Sequence, residues 1–397
     1  MSSPQNASES RRLRLGVVGL GRAFTLMLPT LAGDPRVKLF AAADPREEAR
    51  TRFEKDFGGR TYDDVAALCA DPDVEVVYVA TPHQHHAAHA ALAARHAKHI
   101  LVEKPIALTL ADAAAVTQAA RAAGVHLVVG HSHSFDAPIL RARALIDSGA
   151  FGRVRMIAAL NYTDFLHRAR RPEELDTAQG GGALFNQAPH QVDIVRLLGG
   201  GRVRSVRAQA GRWDAARPTE GAYSALMTFE DGAFASLTYS GYGHFDSDEF
   251  QGWIGEMGQA KPANPRRERH RFADAAEEAA FKASRNYGGA NWTPPPPQEL
   301  AHQHFGTVIV SCERADLRPL PNGVVIYDDS GARLDALPLP AVPRAEVIDE
   351  LYDAVVNGRA PLHGGPWATA TLEVCLAMLH SAREGGEVSL SHQVAVP

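Results

Sequence analysis

Short apolar runs alternate with helical segments over the first third of this chain, and this alternation constrains the fold more than any other feature. Runs that are apolar nearly throughout suit strands buried on both faces of a parallel sheet. Strands that alternate with helices at this spacing predict a doubly wound α/β domain, which we place at residues 13–133. The runs are Leu13–Gly19, Val37–Ala43, Val74–Ala80, His99–Val102 and Val125–Val129.

The pattern changes beyond residue 134, where longer runs with partial alternation follow one another with few helices between them. Such runs predict an α+β domain with a large, mostly antiparallel open sheet over residues 134–397. The stretch 250–299 is rich in charge, glycine and proline, and it predicts a long excursion or arm rather than core. The polar residues 1–12 predict a disordered leader. The second set of strands is Val154–Asn161, Val203–Gly211, Ser224–Thr228, Ala233–Gly241 and Val324–Tyr327.

Composition excludes several classes of function. The 397 residues carry a formal net charge of −5, so no broad basic surface points to nucleic acid or an anionic membrane. The three cysteines lie far apart and predict neither a disulfide framework nor a CxxC metal site. No window reaches the ~18 apolar residues of a membrane span. We therefore expect a cytoplasmic protein that acts on a small molecule.

A glycine turn between the first strand and the first helix indicates a dinucleotide site. Gly19 permits the tight turn, and Gly21 lets the backbone approach a pyrophosphate at the helix N-terminus. Phe24 stands where the GxGxxG pattern has its third small residue. Asp44 ends the second run, where its carboxylate would bind ribose hydroxyls and repel a 2′-phosphate. This favours NAD over NADP, although Arg46 would partly offset the repulsion.

Two further segments carry groups suited to proton transfer. Lys104 follows the fourth strand, at the edge of the sheet where ligands bind, and its ammonium group can hold a substrate oxygen. A triple glycine precedes a helical segment that would place Asn186, His190 and Asp193 on one face. Histidine can take a proton near neutral pH, and a neighbouring amide can orient it. Each residue taken alone is as readily explained by a structural role.

Together these segments resemble the Gfo/Idh/MocA family of nicotinamide-dependent oxidoreductases. The resemblance spans nearly the whole chain and rests on GVVGLGRAF, the Asp44-Pro45 pair, VYVATPHQHHAAH, VEKP, VVGHSHSFD and GGGALFNQAPHQVD. It implies a Rossmann domain followed by an open-sheet domain, and a homo-oligomer, dimer or tetramer, that forms through that sheet. The family's lysine falls on Lys104 and its catalytic histidine on His190. Many members carry an aspartate where this chain has Asn186, so proton acceptance would rest on His190 assisted by Lys104.

The resemblance also implies a set of residues in contact with NAD. We expect these at the glycine turn and at the carboxyl ends of the strands: Gly19, Gly21, Arg22, Ala23, Phe24, Asp44, Arg46, Thr81, Pro82, His83, His86, Glu103, Lys104 and His133.

Within the family, the segments HSHSFDAPIL, NYTDFLHRARRPEEL and FGTVIVSCERADLRPLPNGV resemble phthalate 4,5-cis-dihydrodiol dehydrogenases. That class oxidises 4,5-dihydro-4,5-dihydroxyphthalate to 4,5-dihydroxyphthalate with NAD. Guanidinium groups bind carboxylates through two parallel hydrogen bonds, which would suit such a dianion. Pairing of the arginines with Glu173 and Glu174 is the plainer explanation. The substrate-binding residues we expect are Tyr162, Arg168, Arg170, Arg171 and His190.

Several alternatives remain open at this stage. The substrate could be a sugar, an inositol or another polyol, and a non-catalytic dinucleotide-binding regulator is the rival from another class. Histidines cluster at 83, 85, 86 and 89, at 131 and 133, and at 302 and 304. They could suggest zinc, but no obvious third or fourth ligand accompanies them. We therefore predict no metal, and place the first two groups along the cofactor edge of the sheet.

Overall fold

A computed structural model describes residues 11–130, 132–263, 270–294 and 298–397. Nearly all of the predicted leader therefore lies outside the described residues. The strands of the first sheet are β1 (Leu13–Val18), β2 (Val37–Ala43), β3 (Arg60–Tyr62), β4 (Val76–Val79), β5 (His99–Val102) and β6 (Leu127–Val129). They pair in parallel in the order β3-β2-β1-β4-β5-β6. The parallel sheet predicted from the apolar runs is confirmed.

The helices of this half cover the sheet. Because the strands are parallel, their carboxyl ends all lie at one edge. They are α1 (Arg22–Gly33), α2 (Glu47–Phe57), α3 (Val65–Ala70), α4 (His86–Arg95) and α5 (Leu110–Ala122). The strand order reverses on either side of β1, because β2 lies on one flank and β4 on the other. In open α/β sheets the crevice at this reversal is where ligands bind.

The second sheet has nine strands and is mostly antiparallel, as the sequence predicts. They are β7 (Val154–Tyr162), β8 (Val203–Gly211), β9 (Ala222–Phe229), β10 (Phe234–Ser240), β11 (Thr307–Cys312), β12 (Asp316–Leu320), β13 (Gly323–Asp328), β14 (Gly331–Ala336) and β15 (Val388–Ser389). Their order is β14-β13-β12-β11-β7-β10-β9-β8-β15. Among the described strands of this second sheet, only β7 and β10 pair in parallel. The open sheet therefore combines four hairpin-like neighbours on one side of β7 with β10 and its partners on the other.

The helices of the second half pack against this sheet or between the two sheets. They are α6 (Ala137–Asp147), α7 (Gly182–Asn186), α8 (Ala188–Leu198), α9 (Ala275–Ser284), α10 (Ala345–Asn357) and α11 (Gly365–Glu384). Helix α11 contributes Trp367 and Met378 to the core of the second sheet and Leu372 to that of the first. It therefore joins the two halves through one continuous apolar surface.

Two segments beyond residue 134 belong to the core of the first sheet. Helix α10 buries Val347, Ile348 and Leu351 there, beside Leu13. The predicted excursion contributes Tyr287, whose side chain is fully buried in the same cluster. The expectation that 250–299 is not core is therefore wrong at this residue. The domain limits at 133 and 134 stay a prediction, since these contacts cross them.

The structure also bears on the expectation about membranes. Among the described residues, the longest helix is α11, and none is both long and apolar enough to span a bilayer.

Candidate active site

A cavity of about 850 Å³ lies between the two halves, at the carboxyl ends of the first sheet. Both halves line it, so the strand ends of the first sheet face side chains carried by the second. Ten of the fourteen predicted cofactor residues line this cavity: Gly21, Arg22, Ala23, Thr81, Pro82, His83, His86, Glu103, Lys104 and His133. The predicted Lys104, Asn186 and His190 also meet here. Groups that are far apart in the sequence thus lie together in this cavity.

The glycine turn has the shape that a bound pyrophosphate requires. Gly19 has φ +91°, and a Cβ there would lie 2.9 Å from the carbonyl oxygen of Ala80. A Cβ at Gly21 would meet nothing within 4 Å, so the space in front of the helix is open. No side chain caps the N-terminus of α1, and its first turn carries no acidic residue. The first N–H groups of α1 are therefore available to an anion.

Phe24 does not obstruct this turn, and its side chain has no access to the cavity. It is fully buried, and its ring lies edge-on to Tyr287 with 5.1 Å between centroids. The side chain points away from the turn towards α2 and the arm. We therefore correct its expected role from cofactor contact to packing.

Asp44 and Arg46 stand at the end of β2, beside the glycine turn but outside the cavity. The Asp44 carboxylate accepts a hydrogen bond from the Leu20 backbone N–H at 2.8 Å and one from Arg46 Nε at 3.0 Å. The Arg46 guanidinium also donates to the Leu20 carbonyl oxygen at 2.9 Å. The two charges are thus fixed against each other at the place where the adenosine ribose is expected.

Lys104 lies at the end of β5 and reaches across to the second half. Its Nζ donates to the backbone carbonyl oxygen of Asn186 at 2.7 Å. Burial lowers the pKa of Lys104, and the neighbouring carboxylate of Glu103 opposes this effect. Glu103 is itself buried and accepts a hydrogen bond from Tyr78 Oη. The ammonium group is therefore held at the cavity by the carbonyl oxygen of Asn186.

Asn186 and His190 do not share one helix as we expected. Helix α7 ends at Asn186 and α8 begins at Ala188, because Pro189 occupies the first turn of α8 and could not continue a helix from before it. The Asn186 amide donates to the carbonyl oxygens of Gly180 and Gly182. Its backbone carbonyl oxygen accepts the hydrogen bond from Lys104, and its expected role in holding a substrate oxygen stays a prediction.

Asp193 lies on α8 one turn after His190, but it does not line the cavity. Its carboxylate accepts hydrogen bonds from Trp367 Nε1 at 2.6 Å and Thr371 Oγ1 at 2.7 Å, and from Ser134 Oγ at 2.6 Å. It therefore ties α8 to α11 and to the end of the first half.

His190 belongs to a cluster of rings that the sequence alone does not reveal. Its ring lies 4.8 Å from that of His133 and 4.9 Å from that of Phe305, measured between centroids. His133 Nδ1 is 2.7 Å from Asp136 and its Nε2 is 3.4 Å from Glu256. Burial alone would lower the pKa of His133, but the two carboxylates outweigh it and raise the pKa.

Glu256 is a site residue that sequence reasoning missed. It lines the cavity from within the predicted excursion. Burial would raise its pKa, but the contacts with His133 and the charge of Arg168 lower it to about 2. A carboxylate is thus present in the cavity, although Asn186 replaces the one that many family members carry. The sequence gives no motif for it, since its place depends on the path of the arm.

The expected arginine cluster separates into different environments. Arg168 pairs with Asp164 at 2.9 Å, and Arg171 pairs with Glu173 at 3.2 Å. Arg170 is buried, lies 3.7 Å above the ring of Phe165, and forms no ion pair among the described residues. All three arginines line the cavity. Of these three arginines, only Arg170 therefore forms no ion pair, and the carboxylate of Glu174 acts on its charge from a longer distance.

Arg170 also has an unused hydrogen-bond donor. Its Nε is buried and without a partner, while its Nη2 donates to the carbonyl oxygen of Phe165. Burial lowers the pKa of Arg170 to about 10. An anion in the cavity would relieve both the charge and the unmet donor.

Tyr162 does not line the cavity, and its expected substrate role is corrected. Side chains alternate between the two faces of β7, and Asn161 is the one that faces the cavity. Tyr162 instead packs against Phe245, with 5.7 Å between ring centroids.

The histidines that suggest a metal serve other contacts. His83 Nδ1 lies 3.0 Å from the Gly180 carbonyl oxygen, and burial lowers its pKa to about 3. His86 Nδ1 lies 2.7 Å from the Pro105 carbonyl oxygen, and His304 Nε2 lies 2.9 Å from that of Ile254. His131 falls outside the described residues. Among those described, no group of three histidine, cysteine or carboxylate side chains could hold a metal ion.

Comparison with known proteins identifies the family. The family model described as "Oxidoreductase family, NAD-binding Rossmann fold" matches residues 13–131, and the model of the GFO/IDH/MocA C-terminal domain matches 139–259. The chain belongs to the Gfo/Idh/MocA family of oxidoreductases. The first half is therefore an NAD-binding Rossmann domain, and the open turn, the uncapped α1 and Asp44 fit that cofactor.

Relatives within the Gfo/Idh/MocA family differ in how much of the chain they match. The 1-carboxy-3-chloro-3,4-dihydroxycyclohexa-1,5-diene dehydrogenase of Comamonas testosteroni is 49% identical and covers 95% of this chain and 96% of its own. A crystal structure from Bordetella bronchiseptica RB50 is 41% identical with a TM-score of 0.88, covering 96% of this chain and all of that one. Inositol 2-dehydrogenase of Acidothermus cellulolyticus is 33% identical over 52% of this chain and 59% of its own.

Proposed function

We propose that this oxidoreductase dehydrogenates the cis-dihydrodiol of a carboxylated ring with NAD, and that its substrate is 4,5-dihydro-4,5-dihydroxyphthalate. The observation that carries this proposal is the presence of Arg170, a buried arginine with no ion pair among the described residues and an unpartnered Nε, in the same cavity as Lys104 and His190. Proton-transfer groups and a carboxylate-binding group therefore face one bound molecule.

Each group in the cavity has one part in the reaction, and both the hydride and the proton have an acceptor. NAD, when bound, accepts the hydride that leaves a carbinol carbon. His190 takes the proton of the hydroxyl on that carbon, and Lys104 holds the same oxygen as negative charge develops. The hydroxy-dienone that results enolises to an aromatic catechol. Because aromatisation favours the products, the enzyme mainly has to orient the reactants.

Recognition of the carboxylate is assigned to Arg170 first and to Arg168 second. Arg170 has a buried donor without a partner, so it gains most from an anion. Arg168 is half exposed and already paired with Asp164, so a second carboxylate on the ring would have to share it. Arg171 is engaged by Glu173 and Glu174 and is left out of this role.

The Comamonas testosteroni relative supports the same chemistry. Its name describes a cyclohexadiene that carries one carboxyl group and two adjacent hydroxyl groups. It matches nearly the full length of both chains, whereas the inositol dehydrogenase matches about half of this chain. We therefore place the carboxylated diol ahead of the sugar, inositol and polyol alternatives.

A substrate panel tests the proposal through the absorbance of NADH. It comprises the phthalate 4,5-cis-diol, a cis-diol with one carboxylate, the unsubstituted benzene cis-diol and myo-inositol. We expect the highest kcat/KM for the phthalate diol. A preference for the single carboxylate would overturn the phthalate assignment, and a preference for inositol would overturn the carboxylated ring. Tight NADH binding with no turnover of any compound would favour the non-catalytic regulator.

The role of Arg170 is tested with a matched arginine variant. We expect Arg170→Gln to lower kcat/KM for a carboxylated diol about tenfold to a hundredfold, the loss of a charge-assisted hydrogen bond. The rate with the benzene cis-diol should not fall. Arg212→Gln, at an exposed arginine that does not line the cavity, is the control. Equal losses with and without the carboxylate would contradict the assignment.

A further inference from the structure

The predicted excursion contains a segment that crosses from one half of the molecule to the other. Its helix α9 is bound to the loops of the second half. Glu278 accepts hydrogen bonds from Arg217 Nη1 and from the backbone N–H of Arg170, both at 2.7 Å. Lys282 pairs with Glu174. Residues 275–284 are thereby fixed above the substrate side of the cavity.

Directly after α9 the chain is anchored on the Rossmann domain. Tyr287 is fully buried, and its Oη donates to the Asp56 carboxylate at 2.8 Å. The backbone carbonyl oxygen of Tyr287 accepts a hydrogen bond from Arg46 Nη1 at 3.3 Å. Gly288 has φ +77°, and a Cβ there would lie 2.7 Å from Cα of Ala49. The contact with α2 is therefore close enough to require glycine.

Between these two anchors, Arg285 and Asn286 line the cavity together with Gly21 and Arg22. Both Arg22 and Arg285 line the cavity, and neither forms an ion pair with a described carboxylate. Their charges act on each other, because burial first and then the charges of Arg168 and Arg285 lower the pKa of Arg22. Two guanidinium groups thus face one space at the uncapped start of α1. An anion placed there would relieve their repulsion.

We propose that residues 275–292 form a strap across the cofactor groove and that Arg285 binds the pyrophosphate of NAD from the side opposite the glycine turn. Arg22 and the N–H groups of α1 hold the same pyrophosphate from below. Tyr287 positions the strap, and its link to Arg46 joins it to the adenosine end of the groove. The proposal rests on NAD binding by the Rossmann domain and not on the diol substrate.

Ligand fragments test which part of the cofactor Arg285 recognises. The dissociation constants of NADH, ADP-ribose and adenosine are measured for the wild type and for Arg285→Gln by NADH fluorescence and by competition. We expect NADH and ADP-ribose to bind about tenfold more weakly, the loss of one charge-assisted hydrogen bond. Adenosine, which has no phosphate, should bind unchanged. Arg271→Gln, at an exposed arginine of the same arm outside the cavity, is the control.

Each other outcome overturns a defined part of the proposal. Unchanged ADP-ribose binding would exclude Arg285 from the pyrophosphate site, and equal losses for ADP-ribose and adenosine would show a general disturbance instead. A raised KM for the diol with unchanged NADH binding would assign Arg285 to the substrate. The dissociation constants of NADH, ADP-ribose and adenosine are measured without turnover, so failure of the proposed diol activity would be seen separately.

The anchor is tested by two variants of one residue. Tyr287→Ala removes the buried ring, and we expect NADH binding to weaken and proteolysis of the arm to accelerate. Tyr287→Phe keeps the ring and loses only the hydrogen bond to Asp56, so its NADH affinity should lie close to that of the wild type. If Tyr287→Ala keeps full NADH affinity while its arm is cleaved rapidly, the strap has no role in binding.

Discussion

The imidazole ring of His133 lies edge-on to the ring of His190, with 4.8 Å between their centroids. Asp136 and Glu256 face His133 from its two ring nitrogens. The two carboxylates therefore favour the protonated form of the ring next to the proposed base. This arrangement has a consequence for the pH dependence of folding that does not depend on the substrate.

We expect the contribution of His133 to the free energy of unfolding to fall as the pH rises. Its pKa is raised in the folded protein, so the stabilisation is fully present below the unfolded value of about 6.5. It is lost as the pH passes the folded pKa. His133→Gln should therefore cost more stability at pH 6 than at pH 9, measured by urea unfolding. His302→Gln, at a buried ring that contacts the Pro338 carbonyl oxygen, is the control. Equal costs at both pH values would contradict the ion pairs.

His190 and Asn186 should differ sharply in the chemical step. His190→Ala removes the proposed base, and we expect the rate of NADH formation in a single turnover to fall about 10²–10⁴-fold. Asn186→Ala keeps the backbone carbonyl that binds Lys104, so its rate should fall less than about tenfold, the cost of a neutral hydrogen bond. Stopped-flow absorbance measures both. An undiminished step in His190→Ala would exclude His190 as the base.

The preference for NAD over NADP should depend on Asp44 and on its hold on Arg46. Its carboxylate repels a 2′-phosphate and also holds Arg46, which could otherwise bind that phosphate. We expect Asp44→Asn to lower the ratio of the NADP dissociation constant to the NAD dissociation constant about tenfold or more. This corresponds to roughly 1.4 kcal/mol of binding free energy. The amide can still accept from the Leu20 N–H, which preserves the turn. The double variant Asp44→Asn, Arg46→Gln should bring the ratio back towards that of the wild type. The same ratio in the single and the double variant would exclude Arg46 from binding the 2′-phosphate.

The parts of the fold that the sequence predicts best are the inner strands of the parallel sheet, in which most residues are buried. Strands β2 and β5 begin and end where their apolar runs do, because both lie inside the parallel sheet. Strand β3 has three residues at the sheet edge, and β14 is exposed along nearly its whole length. Neither has an apolar run to indicate it. Edge strands of this kind depend on pairing, which the sequence does not express locally.

The residues of the site also differ in whether the sequence predicts them. Gly19 and Lys104 could be predicted because a motif fixes each one to the end of a strand. Glu256 and Arg285 could not, because their positions depend on how the arm crosses the cavity. Pro189 was the available signal that α7 and α8 are separate helices, since proline in a first turn begins a helix. The break at Pro189 is the reason that Asn186 does not share a helix with His190.

The outer face of the second sheet should form the contact between copies of the chain. Leu226 on β9 and Phe234 on β10 are 50% and 44% exposed, although both belong to central strands. Small or apolar side chains continue from Leu226 across the neighbouring strands, at the successive cross-strand partners Ser236, Ala158 and Ile309. Soluble monomers rarely leave so continuous an apolar surface open, so we propose a dimer or tetramer through this face.

Light scattering after gel filtration tests that contact. We expect Leu226→Glu to reduce the mass of the assembly, because two like charges would then lie buried at a symmetric interface. Leu339→Glu is the matched control, since Leu339 is 49% exposed but lies outside the sheet. A wild type that is monomeric at micromolar concentration would contradict the proposal. An assembly that survives Leu226→Glu and dissociates in Leu339→Glu would place the interface elsewhere.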